Sequence, residues 1–295
     1  MASFTWSFLV LFFIIDGIHL AVGCDCKCEY GLSQSCPGKS CLDIYHKNLE
    51  SRGVSGEYII KAGNDLHLQY CDMQLECGGE KGWMKIININ VASGDSCPNG
   101  WKNISSPVAA CTSLNHKAGC YSVNFSTHNI PYSRVCGMVV GYQKGSTDGF
   151  ANFHNPTRSI NSPYVDGVSI TYGTPRKHLW TYAIGNNDKG NYLPKYPSNC
   201  PCSQFSGTLP PSFVHDNYYC ESGTVISSPN YSITDPVWDG KGCSSENSCC
   251  SEPNLPWFYR QIPLTASEGI DMRICRDEVF ANEEVLVRDI QLNVQ

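Results

Sequence analysis

The sequence predicts a mostly β, disulfide-rich fold, and three observations carry that reading. Eighteen cysteines lie beyond an apolar amino-terminal run; in an exported chain an even set at that density is read as nine disulfides. Short segments in which β-branched and aromatic residues alternate with polar ones recur along the chain, the period of a strand with one face covered. Gly, Asn, Asp and Pro gather between those segments, as turns require.

Residues 1–23 read as a secretory signal peptide. An apolar run from Phe8 to Ile15 is followed by Ala21-Val22-Gly23, small at the −3 and −1 positions before the cut. The run is short of the roughly 20 residues a spanning helix needs, so no membrane span is expected. Removing this peptide takes away Asp16 alone and moves the formal charge from −6 to −5. A surface so mildly acidic, without Lys/Arg clusters, argues against nucleic acid and anionic lipid as partners. Asn-x-Ser/Thr triplets at Asn103, Asn124 and Asn230 fit secretion and mark expected glycosylation sites on surface loops.

Residues 24–40 form a cysteine-rich leader. It holds Cys24, Cys26, Cys28 and Cys36 and too few apolar groups for a core of its own. Residues 41–96 predict a helix over Leu42–Leu49, a strand at Gly56–Ile60, a turn at Gly63-Asn64-Asp65 and a returning strand at Leu66–Cys71. Cys97-Pro98-Asn99-Gly100 marks a boundary by its turn chemistry, and residues 97–295 read as a larger cysteine-rich β domain. Strands are expected there at Cys120–Phe125 and Val135–Tyr142, followed by a long polar loop from Ser146 to Ser162. The stretch from Tyr164 to Ile184 lies in the long cysteine-free interval between Cys136 and Cys200, so packing rather than cross-linking must hold it. Val168, Ile170 and Tyr172 alternate with Ser169 and Thr171, which predicts a half-buried strand; Gly173-Thr174-Pro175 turns the chain into a second strand at His178–Ile184. A short strand is expected within Phe213–Gly223. Ile270, Met272 and Ile274 alternate with Asp271 and Arg273, and Ile290, Leu292 and Val294 with Gln291 and Asn293; both predict half-buried strands, the last pinning the carboxy terminus in a sheet.

A resemblance joins these elements. The order of Cys41, Ser55-Gly56-Glu57-Tyr58-Ile59-Ile60, Tyr70-Cys71-Asp72-Met73 and Gly82-Trp83-Met84-Lys85-Ile86 resembles the amino-terminal subdomain of fibrinogen-type carboxy-terminal domains. It implies a disulfide between Cys41 and Cys71, and a partial fibrinogen-like subdomain followed by a larger β-sandwich-like domain. Beyond Ile87 the resemblance ends, so that family's calcium and acetyl-sugar sites carry over to no residue here. The second block, with YVDGVSIT, PRKHLWTYA, CPC, YYCESG and DPVWDG, resembles secreted invertebrate proteins that include skeletal organic matrix proteins of stony corals. That resemblance implies a location rather than an activity.

Motifs of catalysis are missing from the chain. It has no GxSxG elbow, HExxH pair, phosphate-cradling glycine loop or CxxC pair, and the histidines at 46, 67, 116, 128, 154, 178 and 215 lack ligand spacing. No enzyme and no cofactor are expected. Asp277, Glu278, Glu283 and Glu284, with Asp235 and Asp239, read first as solvated loops and alternatively as oxygen ligands for calcium. Trp101, Trp180, Tyr182, Trp238, Trp257 and Tyr259 read first as core groups and alternatively as stacking faces for glycans. The expectation is a secreted, non-enzymatic extracellular matrix protein, a component of a calcified skeletal organic matrix whose partners are matrix components or a mineral surface. The alternative is a soluble fibrinogen-related lectin or innate recognition protein.

Overall fold

A computed structural model describes residues 29–105, 108–113, 119–144, 160–161, 167–186, 218–223, 257–276 and 284–295. The described chain is mostly β, as expected. Its helix, α1 (Cys41–Lys47), begins where Ser40 caps it by accepting a hydrogen bond from the Asp43 amide. Asp43 in the first turn and His46 and Lys47 in the last complement the helix dipole. Cys41 and Ile44, three apart and so on one face, are its buried residues.

Strands β1 (Gly56–Ala62) and β2 (Asp65–Asp72) form a hairpin whose two-residue loop has Gly63 at φ 60°. The leader lies along the outer edge of β1, with Gly38 N donating to Ile59 O at 2.9 Å, Lys61 N to Gly38 O at 2.9 Å and Ile59 N to Gly31 O at 2.7 Å. Close approach explains the glycine at 38, since a Cβ there would collide with the Ile44 side chain. The remaining strands are β3 (Trp83–Asn90), β4 (Trp101–Ile104), β5 (Ala110–Ser113), β6 (Gly119–Phe125), β7 (Tyr132–Lys144), β8 (Gly167–Tyr172), β9 (Lys177–Asn186), β10 (Tyr218–Gly223), β11 (Trp257–Ala266), β12 (Ile270–Arg276) and β13 (Glu284–Val294).

Two sheets result. In the eight-stranded sheet β13 is the spine: along one side it pairs with β7, which in turn pairs with β11, and along the other it pairs with β5, which carries β4, in its first half and with β3, which carries β2 and then β1, in its second. Residues from 41–96 and from the carboxy terminus therefore share one sheet. Gln295 closes the arrangement, exchanging backbone hydrogen bonds with Arg134 at 2.9 Å each way. The five-stranded sheet runs β10-β9-β8-β12-β6, and its β9–β10 pair is parallel while the other described pairings are antiparallel. One apolar core joins the sheets. It takes Tyr58, Ile60, Met84, Val139 and Leu292 from one and Val168, Ile170, Trp180, Met272 and Ile274 from the other. At its centre Trp180 of β9 stacks on Phe258 of β11, ring centroids 4.6 Å apart and planes 9° from parallel.

Four disulfides have both halves among the described residues: Cys41–Cys71, Cys77–Cys136, Cys97–Cys111 and Cys120–Cys275. The first ties α1 to β2, and the last joins directly opposed residues of β6 and β12.

Three expectations of a half-buried strand are corrected, one of them in β13, where Asn293 is as fully buried as Leu292 and Val294. All six residues of β8 are buried, and in β12 Arg273 and Arg276 are buried as well, so neither of these strands is half-buried. The reason in β8 and β12 is a second covering on the outer face of the five-stranded sheet, where the Ile160 carbonyl accepts from Arg273 Nη2 at 2.8 Å. Strands β3, β4, β5 and β11 were not anticipated. The signal peptide at 1–23, most of the Ser146–Ser162 loop and the Cys249-Cys250 pair lie outside the described residues.

Candidate functional site

Register builds the outer face of the five-stranded sheet. Across β9, β8, β12 and β6, Thr181 lies opposite Ser169, Ser169 opposite Arg273 and Arg273 opposite Ser122; the next row runs His178, Thr171, Asp271 and Asn124. Polar residues two apart on a strand share a face, so the alternation that predicted half-buried strands stacks them into one polar layer. His178 Nε2 is 2.7 Å from Thr181 Oγ1, which is 3.4 Å from Ser169 Oγ, and Arg273 Nη2 donates to Ser169 Oγ at 3.5 Å. Asp271 accepts from Asn124 Nδ2 at 2.8 Å and pairs with Arg176 at 3.4 Å. This layer contains a histidine, hydroxyls and a guanidinium, the groups that acyl or phosphoryl chemistry uses. Ser169 and Thr181 are fully buried, however, so in this arrangement neither side chain meets solvent. Its physical role is to satisfy Arg273, 1 % exposed, whose burial without partners would be costly.

A second place is open. Where the leader crosses β1, an open groove of about 580 Å³ is lined by Tyr30, Lys39, Lys61, Asn129 and Pro131, with Ala62 and Gly38 in its floor. Its wall is rigid. Tyr30 Oη donates to Asp43 Oδ2, the Lys39 amide donates to the same carboxylate at 3.1 Å, and Lys47 Nζ lies 2.8 Å from Asp43 Oδ1 and over the Tyr30 ring. Burial and the bond to Asp43 push the Tyr30 phenol up. Burial alone would raise the Asp43 carboxyl, but the bonds from Lys47, Tyr30 and the Lys39 amide outweigh it and hold it below the usual carboxylate range. The groove thus presents a neutral phenol and two lysines, groups that can hydrogen bond to or neutralise an anion.

Beside the groove, His67 of β2 and His128 of the β6–β7 turn stand with ring centroids 5.2 Å apart. Consecutive left-handed residues, His128 at φ 53° and Asn129 at φ 58°, aim this turn at the hairpin. Two imidazoles are half of a tetrahedral metal sphere. Among the described residues no group of three or more His, Cys, Asp or Glu is placed to hold a metal ion.

The residues singled out in the sequence are scattered. Asn103 in β4 and Asn124 in β6 are exposed, though on strands rather than loops; Asn230 lies outside the described residues. Trp101, Trp180 and Tyr182 belong to the core, with Trp101 Nε1 donating to Tyr121 O at 3.2 Å, so they offer no sugar-stacking face. Trp257 and Tyr259 are half-buried, Tyr259 edge-on to Trp83, and Trp238 lies outside the described residues. Of the acidic residues considered for calcium, Asp235, Asp239, Asp277, Glu278 and Glu283 lie outside them too, while Glu284 begins β13. Sequence reasoning missed Tyr30, Lys39, Asp43 and Lys61. The signal that could have found part of the cluster is the Ser40-x-x-Asp43 cap followed four residues later by Lys47.

Among the described residues no helix is long and apolar enough to cross a membrane. No known family model matches this chain, and no curated protein matches it.

Proposed function

We propose that this protein is a secreted, non-enzymatic component of an extracellular matrix, and that its setting is the organic matrix of a calcified skeleton. The observation that carries the extracellular part is the placing of the disulfides: Cys41–Cys71 and Cys120–Cys275 each join two elements, Cys77–Cys136 and Cys97–Cys111 tie connecting segments to β7 and β5, and such a framework persists in an oxidising compartment. Cross-links of this kind stabilise a fold by restricting its unfolded chain, which suits a scaffold. The skeletal setting rests on the resemblance of the second block to coral matrix proteins. Mass spectrometry of bleach-cleaned, chelator-dissolved mineral should find the tryptic peptide from His178 to Lys189 enriched in the occluded fraction. Its presence in body fluid alone would sink the skeletal reading.

The groove favours a second reading, soluble recognition of glycans. Tyr30, Lys39 and Lys61 converge on it, and both lysines are exposed and free to meet acidic sugars. A glycan array should then show saturable binding that Lys39→Glu and Lys61→Glu each weaken at unchanged melting temperature. Binding indifferent to both substitutions would remove the groove from that reading.

A further inference from the structure

We infer that N-linked oligosaccharides on Asn103 and Asn124 shield two edge strands of the sandwich, β4 and β6, which no other described strand covers, and keep one copy of this chain from adding its strands to another at those edges. The inference rests on the secreted reading above, because the sugar is added in the secretory pathway. An unpaired edge strand offers a row of free N–H and C=O groups to any second strand, and folded β proteins blunt such edges. In this chain the described edges are treated differently. The leader covers β1 through three backbone hydrogen bonds. Strand β11 carries Pro263 and a register break between Gln261 and Ala266, two devices that spoil further pairing.

Among the described residues β4 and β6 show neither device, nor does β10 at the other end of the five-stranded sheet; β4 is blunted only by its four-residue length and its exposed Lys102. Among the described residues β4 pairs with β5 alone and β6 with β12 alone. Strand β6 is the greater liability. Its seven residues, GCYSVNF, combine aromatic and β-branched groups with no charge and no proline, the composition that templates cross-strand stacking. Each of these two strands carries a sequon with an exposed asparagine: Asn103-Ile104-Ser105 in β4 and Asn124-Phe125-Ser126 in β6. The two edges also share one flank of the molecule, since Trp101 of β4 donates its indole N–H to Tyr121 O of β6 at 3.2 Å. A branched oligosaccharide is far wider than the roughly 4.8 Å between paired strands, so a sugar rooted in an edge strand denies a partner its place.

The chemistry is compatible with the site. Nδ2 of the asparagine attacks the anomeric carbon of an oligosaccharide carried on a lipid diphosphate; the N–C bond forms, the bond from that carbon to the diphosphate oxygen breaks, and the nitrogen loses one proton. One N–H remains. At Asn124 it can still donate to Asp271 Oδ1, which now accepts from Nδ2 at 2.8 Å.

The test uses the full chain secreted from cultured animal cells. Intact mass is expected to show sugar on Asn103 and Asn124, and light scattering after gel filtration a monomer. Removing the sugars from the folded protein with a peptide N-glycosidase under native conditions should produce concentration-dependent association. Ser105→Ala with Ser126→Ala should reproduce it genetically, and Ser122→Glu, which places a charge on the β6 edge next to Arg176, should suppress it. A secreted chain bearing no sugar at either asparagine overturns the modification. A glycosylated chain that stays monomeric at every concentration after trimming overturns the edge role alone. Retention inside the cell without sugar overturns the secreted reading and this inference together.

Discussion

Strands β2 and β12 look alike as text and behave differently in the fold. Both alternate apolar and polar residues. In β12 the apolar Ile270, Met272 and Ile274 enter the core, and the alternate Arg273 is buried too, under the covering of the outer face. In β2 the apolar residues are the ones left outside: Leu66, Leu68 and Tyr70 are 42 %, 60 % and 38 % exposed, while His67 and Gln69 face the molecule. The cause is parity. Cys71 must point inward to reach Cys41, and residues at odd separations from it point the other way. Alternation reports that a strand has two unlike faces; it does not report which face is covered, nor whether both are.

The largest effect should come where the two sheets meet. Trp180→Ala removes the stack on Phe258 from a fully packed site and should cost about 3–5 kcal/mol in denaturant unfolding. A loss below about 1 kcal/mol would mean that the five-stranded sheet is not held by this contact.

Buried polar groups sharpen the contrast. Arg273 in the five-stranded sheet has partners, whereas Asn293 in β13 of the eight-stranded sheet is fully buried with neither amide atom hydrogen bonded among the described residues. Asn293→Leu, similar in volume and apolar, should therefore raise stability by about 1–2 kcal/mol, read as a higher melting temperature. A fall would show that the amide has a partner in solution.

Next comes the acid limb of stability. The Asp43 carboxyl is held below its ordinary range by Lys47, Tyr30 and the Lys39 amide against the effect of burial. A group depressed in the folded state contributes stability above its unfolded pKa and loses it as pH falls through the folded value. Asp43→Asn should lower the melting temperature at neutral pH and flatten its fall between about pH 5 and 2. Parallel curves for the two proteins would deny the cluster beside the groove any part in acid unfolding.

Smallest is the change on the exposed face of the hairpin. Leu68→Ser should leave stability within about 0.5 kcal/mol, because the side chain is already in water. Measured beside Ile274→Ser, which buries a hydroxyl in the core, it tests the parity argument directly; equal losses would refute it.

Local chemistry was legible in particular places. The hairpin turn at Gly63-Asn64 and the alternation in β8, β12 and β13 are written in short windows of residues, so those elements could be read without the fold; the Ser40 cap of α1 is just as local, yet it was read only from the structure. Strands β4 and β5 span only four residues each and so show too little period to recognise. Strand β11 breaks its pattern at Pro263, and β3 reads WMKIININ, apolar on both faces in its first half. The candidate sites follow the same division. A sequon is visible as three letters, but its meaning changes once Asn103 and Asn124 are found on edge strands, and edges exist only after pairing is decided. The groove needs the leader to cross β1, and the polar layer needs four strands in register.

What the sequence determined by itself is local: the turns, the helix cap, the strand period and an even store of cysteines, each set by backbone preference and side-chain type over a few neighbours. Tertiary structure alone decided which face of each strand is inside, which cysteines meet beyond the Cys41–Cys71 pair that the resemblance implied, and which strands are left without a described neighbour. Those depend on contacts between residues as distant as Cys120 and Cys275, 155 apart along the chain, and no local preference reaches that far.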